Sequence, residues 1–128
     1  MQYVIMLTIV LGMAIADFFT GIIKGYVNND ISSTKMRKGG LNKIAELIVM
    51  SVACGLEVGI KMLGKYYDTA TLGKITGTVA SIVVFGYIVL METISILENY
   101  AAINKESAWV RSLLSRLKTV SADTDNNS

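Results

Sequence analysis

Residues 75–99 read ITGTVASIVVFGYIVLMETISILEN, an apolar run that closes on a short polar signature. From Ile75 to Met91 there is no charge. At ~1.5 Å per helical residue that stretch is roughly 25 Å long, most of a ~30 Å hydrocarbon core. The run continues through Thr93, Ile94, Ile96 and Leu97 with Glu92 embedded in it. Glu92, Ser95 and Asn99 follow at i, i+3 and i+7, so one helical face is polar where lipid is expected. A buried core helix of a water-soluble protein is the competing reading, and two further long apolar runs elsewhere in the chain argue against it.

Composition points the same way. The chain has 128 residues, of which 52% are hydrophobic, and a mean hydropathy of +0.52, values of a membrane chain rather than a soluble domain. Proline and histidine are absent and Cys54 is the single cysteine, which excludes a disulfide framework and a thiol–imidazole couple within one chain. The remaining metal-ligating candidates are carboxylates on different segments, so neither a metal nor another cofactor is expected, and no catalytic constellation is visible. A net charge of +2 is too slight to indicate nucleic acid.

Before the third run, Met1 to Ile23 lacks the basic opening of a secretory signal and reads as a retained helix. Asp17 interrupts it, and Asp17, Gly21 and Lys24 share a face at i, i+4 and i+7. Gly25 to Gly40 reads as a polar, basic loop with at most a short helical turn after Ser32, Ser33 and Thr34. Leu41 to Met62 is the weakest span. Its charges nevertheless form one stripe, because Glu46, Met50, Ala53, Glu57 and Lys61 step by 4, 3, 4 and 4. Lys61 is the nearest partner for Glu57, and pairing or protonation must offset most of the ~2.5–3.5 kcal/mol that a charge at the bilayer centre costs. A surface-lying amphipathic helix is the alternative for this segment.

Leu63 to Lys74 reads as a short connection with a turn at Gly64, Tyr66, Tyr67 and Asp68. After a polar connection at Ala101 to Ser107, Val110, Leu113, Leu114 and Leu117 recur at helical spacing beside Trp109 and opposite Arg111 and Lys118. This predicts a short amphipathic helix, either on the membrane surface or packed against another helix. Ser121 to Ser128 is small and polar and is expected to be disordered.

The predicted architecture is an all-α integral membrane protein. Residues 1–100 form a three-helix transmembrane region, and residues 101–128 a cytoplasmic amphipathic helix with a disordered tail. Nine basic residues fall in the first loop and the tail, against Lys61, Lys65 and Lys74 around the second loop. The positive-inside rule then places the N-terminus outside and the C-terminus in the cytoplasm. Gly21 and Gly25, Gly55 and Gly59, and Gly73 and Gly77 are three small-residue pairs at i, i+4 that permit close helix approach. Together with Asp17, Glu57 and Glu92 they suggest self-association, because a lone three-helix monomer could hardly shield all three acids.

Read together, these motifs resemble the toxin-secretion and phage-lysis holin family. The resemblance rests on Asp17-x-x-x-Gly21-x-x-Lys24, on Ser33 with Gly39, Gly40 and Lys43, and above all on Glu92-x-x-Ser95-Ile96-x-Glu98-Asn99. It covers the chain from about Met6 to Trp109. It implies a small multi-pass protein of the bacterial cytoplasmic membrane that oligomerises in the bilayer and opens lesions, releasing an endolysin or a toxin as cargo, with an antiholin as a regulatory partner. It implies no catalytic residue. Two other classes stay open at this point: a small ion-conducting channel or transporter subunit using Asp17, Glu57 and Glu92 as an ion path, and a passive membrane scaffold. The absence of inverted-repeat symmetry and of broken-helix prolines weakens the transporter class.

Overall fold

The structure is a computed structural model that describes the backbone of residues 1–66 and 70–126 and the side chains of residues 1–66 and 79–123. Its elements are α1 (Gln2–Val27), α2 (Ser33–Tyr66), α3 (Ala70–Ile103) and α4 (Ala108–Asn126). Among the described residues three helices are long and apolar enough to cross a membrane: α1, α2 and the Val79–Ile103 part of α3.

Helix α1 is apolar and free of proline. Many of its residues are β-branched or aromatic, so the helix owes more to the need to satisfy backbone groups internally in a bilayer than to propensity, and it ends at Asn28 and Asn29. Asn29 adopts φ 52°, a left-handed conformation that asparagine tolerates better than most residues. The chain then turns tightly, with Asp30 N–H donating to the Gly25 carbonyl at 2.8 Å. A Cβ on Gly25 would stand 3.4 Å from the Asp30 carbonyl oxygen, in van der Waals contact, so the chain passes close to Gly25 as it turns.

The basic segment differs from its sequence reading. It is not a loop as far as Gly40: α2 starts at Ser33 and carries Lys35, Arg37, Lys38, Gly39 and Gly40 in its first turns. Met36 N–H already donates to the Ser32 carbonyl at 3.0 Å. Lys35, Met36, Arg37 and Lys38 are good helix formers, and a long packed helix propagates through a glycine pair at about 1 kcal/mol per glycine. Gly40 passes close to Phe18 of α1, whose ring would lie 3.9 Å from an added Cβ.

At its other end α2 absorbs Gly64 and Tyr66, and α3 resumes at Ala70. The expected turn therefore shrinks, and its Tyr67 and Asp68 lie outside the described residues. Helix α3 runs on to Ile103, so the polar connection is confined to residues 104–107. There Glu106 N–H donates to the Asn104 side-chain oxygen at 3.3 Å. Helix α4 continues through Ser121 to Asn126, where disorder was expected; it contains neither glycine nor proline to stop it.

Helix α3 is the central element, packing against α1, α2 and α4. Side-chain partners give the directions: Tyr3 and Ser81 both meet Glu57, while Asp17 and Glu92 both meet Lys43. Hence α1 runs parallel to α3, and α2 antiparallel to both. Between these two polar levels lies an apolar layer of Val10, Met50, Cys54 and Ile88, flanked by Met6, Leu7, Leu47, Val84 and Phe85. Helix α4 folds back along α3, burying Val110 and Leu114 with Ile94.

The outside of the bundle is apolar. Ile5, Ile9, Ile15, Phe19 and Ile23 of α1, Ile44, Ile48, Val52 and Leu56 of α2, and Ile82 and Val83 of α3 are all exposed. An apolar patch of that extent has no place in water, and in a bilayer it meets acyl chains.

Candidate functional site

Among the described residues two polar clusters are held inside the bundle, at Lys43 and Glu57, which are 14 positions apart on α2 and so roughly 21 Å apart along its axis. Both belong to one inward stripe, since Lys43, Glu46, Met50, Ala53 and Glu57 step by 3, 4, 3 and 4.

The first cluster gathers around the Lys43 ammonium. It pairs with Asp17 of α1 at 2.9 Å, with Glu92 of α3, and with Glu46 of its own helix at 3.6 Å. Asp17 is 7% exposed and Glu92 1%. Asn99, also buried, donates to Asp17 Oδ1 at 3.0 Å and to Thr20 Oγ1 at 3.2 Å, and Lys24 donates to Asn99 Oδ1 at 3.3 Å. Three carboxyl groups thus share one ammonium. The imbalance shows in the hydrogen bonding, because Glu46 Oε2 and Glu92 Oε2 are buried without a hydrogen-bond partner among the described residues. Buried oxygens without a hydrogen bond are uncommon, and Glu46 Oε2 keeps only its long ion pair to Lys43.

The second cluster is better satisfied. Glu57 is fully buried. Its Oε1 accepts from Lys61 Nζ at 2.5 Å and from Tyr3 OH at 2.7 Å, while Ser81 Oγ donates to Oε2. Lys61 also donates to Tyr3 OH at 2.9 Å, and Gln2 Nε2 approaches Glu57 Oε1 at 3.4 Å. One carboxylate here has donors from all three helices.

Of the residues singled out in the sequence, Asp17, Lys24, Glu46, Glu92 and Asn99 meet in the first cluster and Glu57 and Lys61 in the second. Ser95 is half-buried and lines an adjoining cavity of about 360 Å³ with Gly21 and Lys43. Glu98 belongs to neither cluster; it faces α4 and pairs with Lys118 at 2.5 Å.

The glycines divide. An added Cβ on Gly21 would meet the Asn99 side chain at 3.6 Å, so Gly21 sits at the α1–α3 contact. Gly55 and Gly59 face open space. Gly73 and Gly77 lie outside the described side chains.

Tyr3 and Ser81 were not singled out in the sequence, and Lys43 was expected only as a motif residue of the basic segment, not as a member of the buried polar set. Extending the α2 stripe one turn back from Glu46 reaches Lys43, and Ser81, Ile88, Glu92 and Asn99 step by 7, 4 and 7 along α3. That signal was present in the spacing. The expectation that a monomer could not shield its acids is corrected, because one chain buries Asp17, Glu57 and Glu92 against its own partners. Among the described residues no group of side chains is arranged to hold a metal ion.

A family model described as the bacteriophage holin family matches residues 2–119 of the chain. No curated protein matches the chain, and no solved structure does.

Proposed function

Because the chain belongs to the bacteriophage holin family, we propose that it accumulates in a bacterial cytoplasmic membrane, self-associates, and opens lesions through which an endolysin reaches the cell wall. The family is not an enzyme family. The observation that carries the reading is the imbalance at Lys43, where one ammonium serves Asp17, Glu46 and Glu92 while two buried carboxyl oxygens lack a hydrogen-bond partner.

The physical argument is a competition between two states. In the closed bundle the charged groups are buried against one another, those around Lys43 incompletely paired, and lipid meets mostly apolar side chains. Desolvating so many carboxylates is costly, and a single ammonium offsets that cost incompletely. If neighbouring chains part around water, the same carboxylates become hydrated, and the closed state loses its advantage. The Lys43 cluster is therefore the place where opening gains most, whereas the better-paired Glu57 cluster holds the other end of the bundle together. Association itself would use outward surfaces, such as the open α2 face at Gly55 and Gly59, since each chain already covers its acids.

The test is induced expression in a bacterial host together with an endolysin that lacks an export signal. Growth should stop abruptly and the culture should then lyse. An endolysin that stays trapped while small ions leak would favour a channel and overturn the lesion reading; release of a co-expressed toxin without lysis would assign the export role instead.

A further inference from the structure

Glycine at three positions leaves a hollow at one end of the bundle. Gly21 and Gly25 of α1 and Gly39 of α2 line the cavity of about 360 Å³ that Ser95 also borders. An added Cβ on Gly39 would meet nothing within 4 Å, so open space stands where a side chain would be. The cavity touches Asn28, Asp30 and Ser32 at the α1–α2 turn, and Asp17, Lys43 and Asn99 further in. Asp17 and Lys43 each lie ten positions from the turn end of their helix, roughly 15 Å along its axis.

We propose that this cavity is a water-filled vestibule, entered at the α1–α2 turn and ending at Lys43. Its walls select water. An acyl chain lying there would strip solvent from the Asp17 carboxylate and from the Lys24 and Lys43 ammonium groups, a cost it cannot offset. Lys24 points the same way. It is half-buried and donates to Asn99 Oδ1 at 3.3 Å, with no carboxylate at ion-pair distance among the described residues. An ammonium has three donors, and in this setting water satisfies the others. The space is ample, since one water requires only ~10–15 Å³.

Burial shows where the vestibule stops. The Lys43 side chain keeps 17% of its exposure and that of Asp17 10%, against 1% for Glu92 just behind them. Beyond Glu92 the layer of Val10, Met50, Cys54 and Ile88 closes the bundle. Water entering at the turn therefore reaches one side of the Lys43 cluster and leaves Glu92 dry, and the apolar layer is the barrier that remains between the two ends. The inference concerns a single closed chain and is independent of how lesions form.

Cys54 is the single cysteine and sits in the apolar layer, so the parent protein carries its own dry reference. The full-length parent and a Ser95→Cys, Cys54→Ser variant would each be reconstituted one chain per lipid nanodisc and treated with a small, charged, water-soluble methanethiosulfonate. Reaction at a packed site waits for local opening, so the Ser95→Cys thiol should react at least about tenfold faster than Cys54, and both should react alike in denaturing detergent. Adding Gly39→Leu to the variant puts a side chain into the vestibule and should remove most of that advantage with helicity unchanged. Equal rates for Ser95→Cys and Cys54 would overturn the inference. So would a Ser95→Cys thiol reached only by a lipid-soluble maleimide, which assigns the cavity to an acyl chain, or one shielded when two chains share a disc, which assigns it to a second copy. No effect of Gly39→Leu would overturn entry at the turn.

Discussion

Lys43 is the residue whose loss should be felt most. Its ammonium is the partner of Asp17 and Glu92, both almost fully buried. Removing it leaves buried carboxylates uncompensated, a change that typically costs ~3–5 kcal/mol. Lys43→Gln is expected to lower the unfolding midpoint of the detergent-solubilised protein, followed by helicity, while Lys43→Arg should keep most of the stability by keeping the charge. Equal midpoints for Lys43→Gln and the parent would show that the three acids are satisfied without the ammonium. Tyr3 makes a smaller contribution by the same logic. Its hydroxyl is one of several donors to Glu57, so Tyr3→Phe should cost about 1.5–3 kcal/mol, the value of one hydrogen bond to a charged group.

At the scale of the element, the glycines of α1 and α2 separate packing within the chain from packing between chains. Gly21 stands against Asn99, so Gly21→Leu should push α1 from α3, break the Asn99 bonds to Asp17 and Thr20, and lower stability in the isolated protein. Gly59 faces open space, so Gly59→Leu has room in a single chain and should leave its unfolding midpoint unchanged or slightly raised. In membranes the same substitution should thin the ladder of crosslinked oligomers if that face meets a neighbouring helix. A full ladder for Gly59→Leu would remove α2 from the association surface. The asymmetry between two glycines of similar sequence context comes from helix rotation alone, which points one inward and the other out.

At the scale of the whole molecule, the bundle is layered along its axis: a Glu57 level, an apolar level around Met50, and a Lys43 level, all wrapped in apolar side chains. The end that holds the Lys43 level also gathers residues 24–38 and α4, and with them most of the basic residues. The proposed orientation puts that end in the cytoplasm. In a Cys54→Ser background, an impermeant thiol reagent applied to intact cells before lysis should label a cysteine at Lys65 and spare one at Asn29. Labelling at Asn29 with protection at Lys65 would invert the orientation.

The sequence by itself determined the class of protein, its three apolar helices, the amphipathic fourth, and the Glu46–Glu57–Lys61 stripe. Hydropathy, length and i, i+4 spacing are properties of a single segment, and they need no knowledge of what lies beside it. It misjudged residues 33–40, because loop composition was weighed there without the long packed helix that propagates back through them. Only the tertiary structure decided which charges meet. That Asp17 of α1, Glu46 of α2 and Glu92 of α3 converge on Lys43, while Tyr3 and Ser81 converge on Glu57, depends on the relative rotation and axial offset of three helices. Those offsets are set by the simultaneous packing of Val10, Met50, Cys54 and Ile88, and no single segment carries that information.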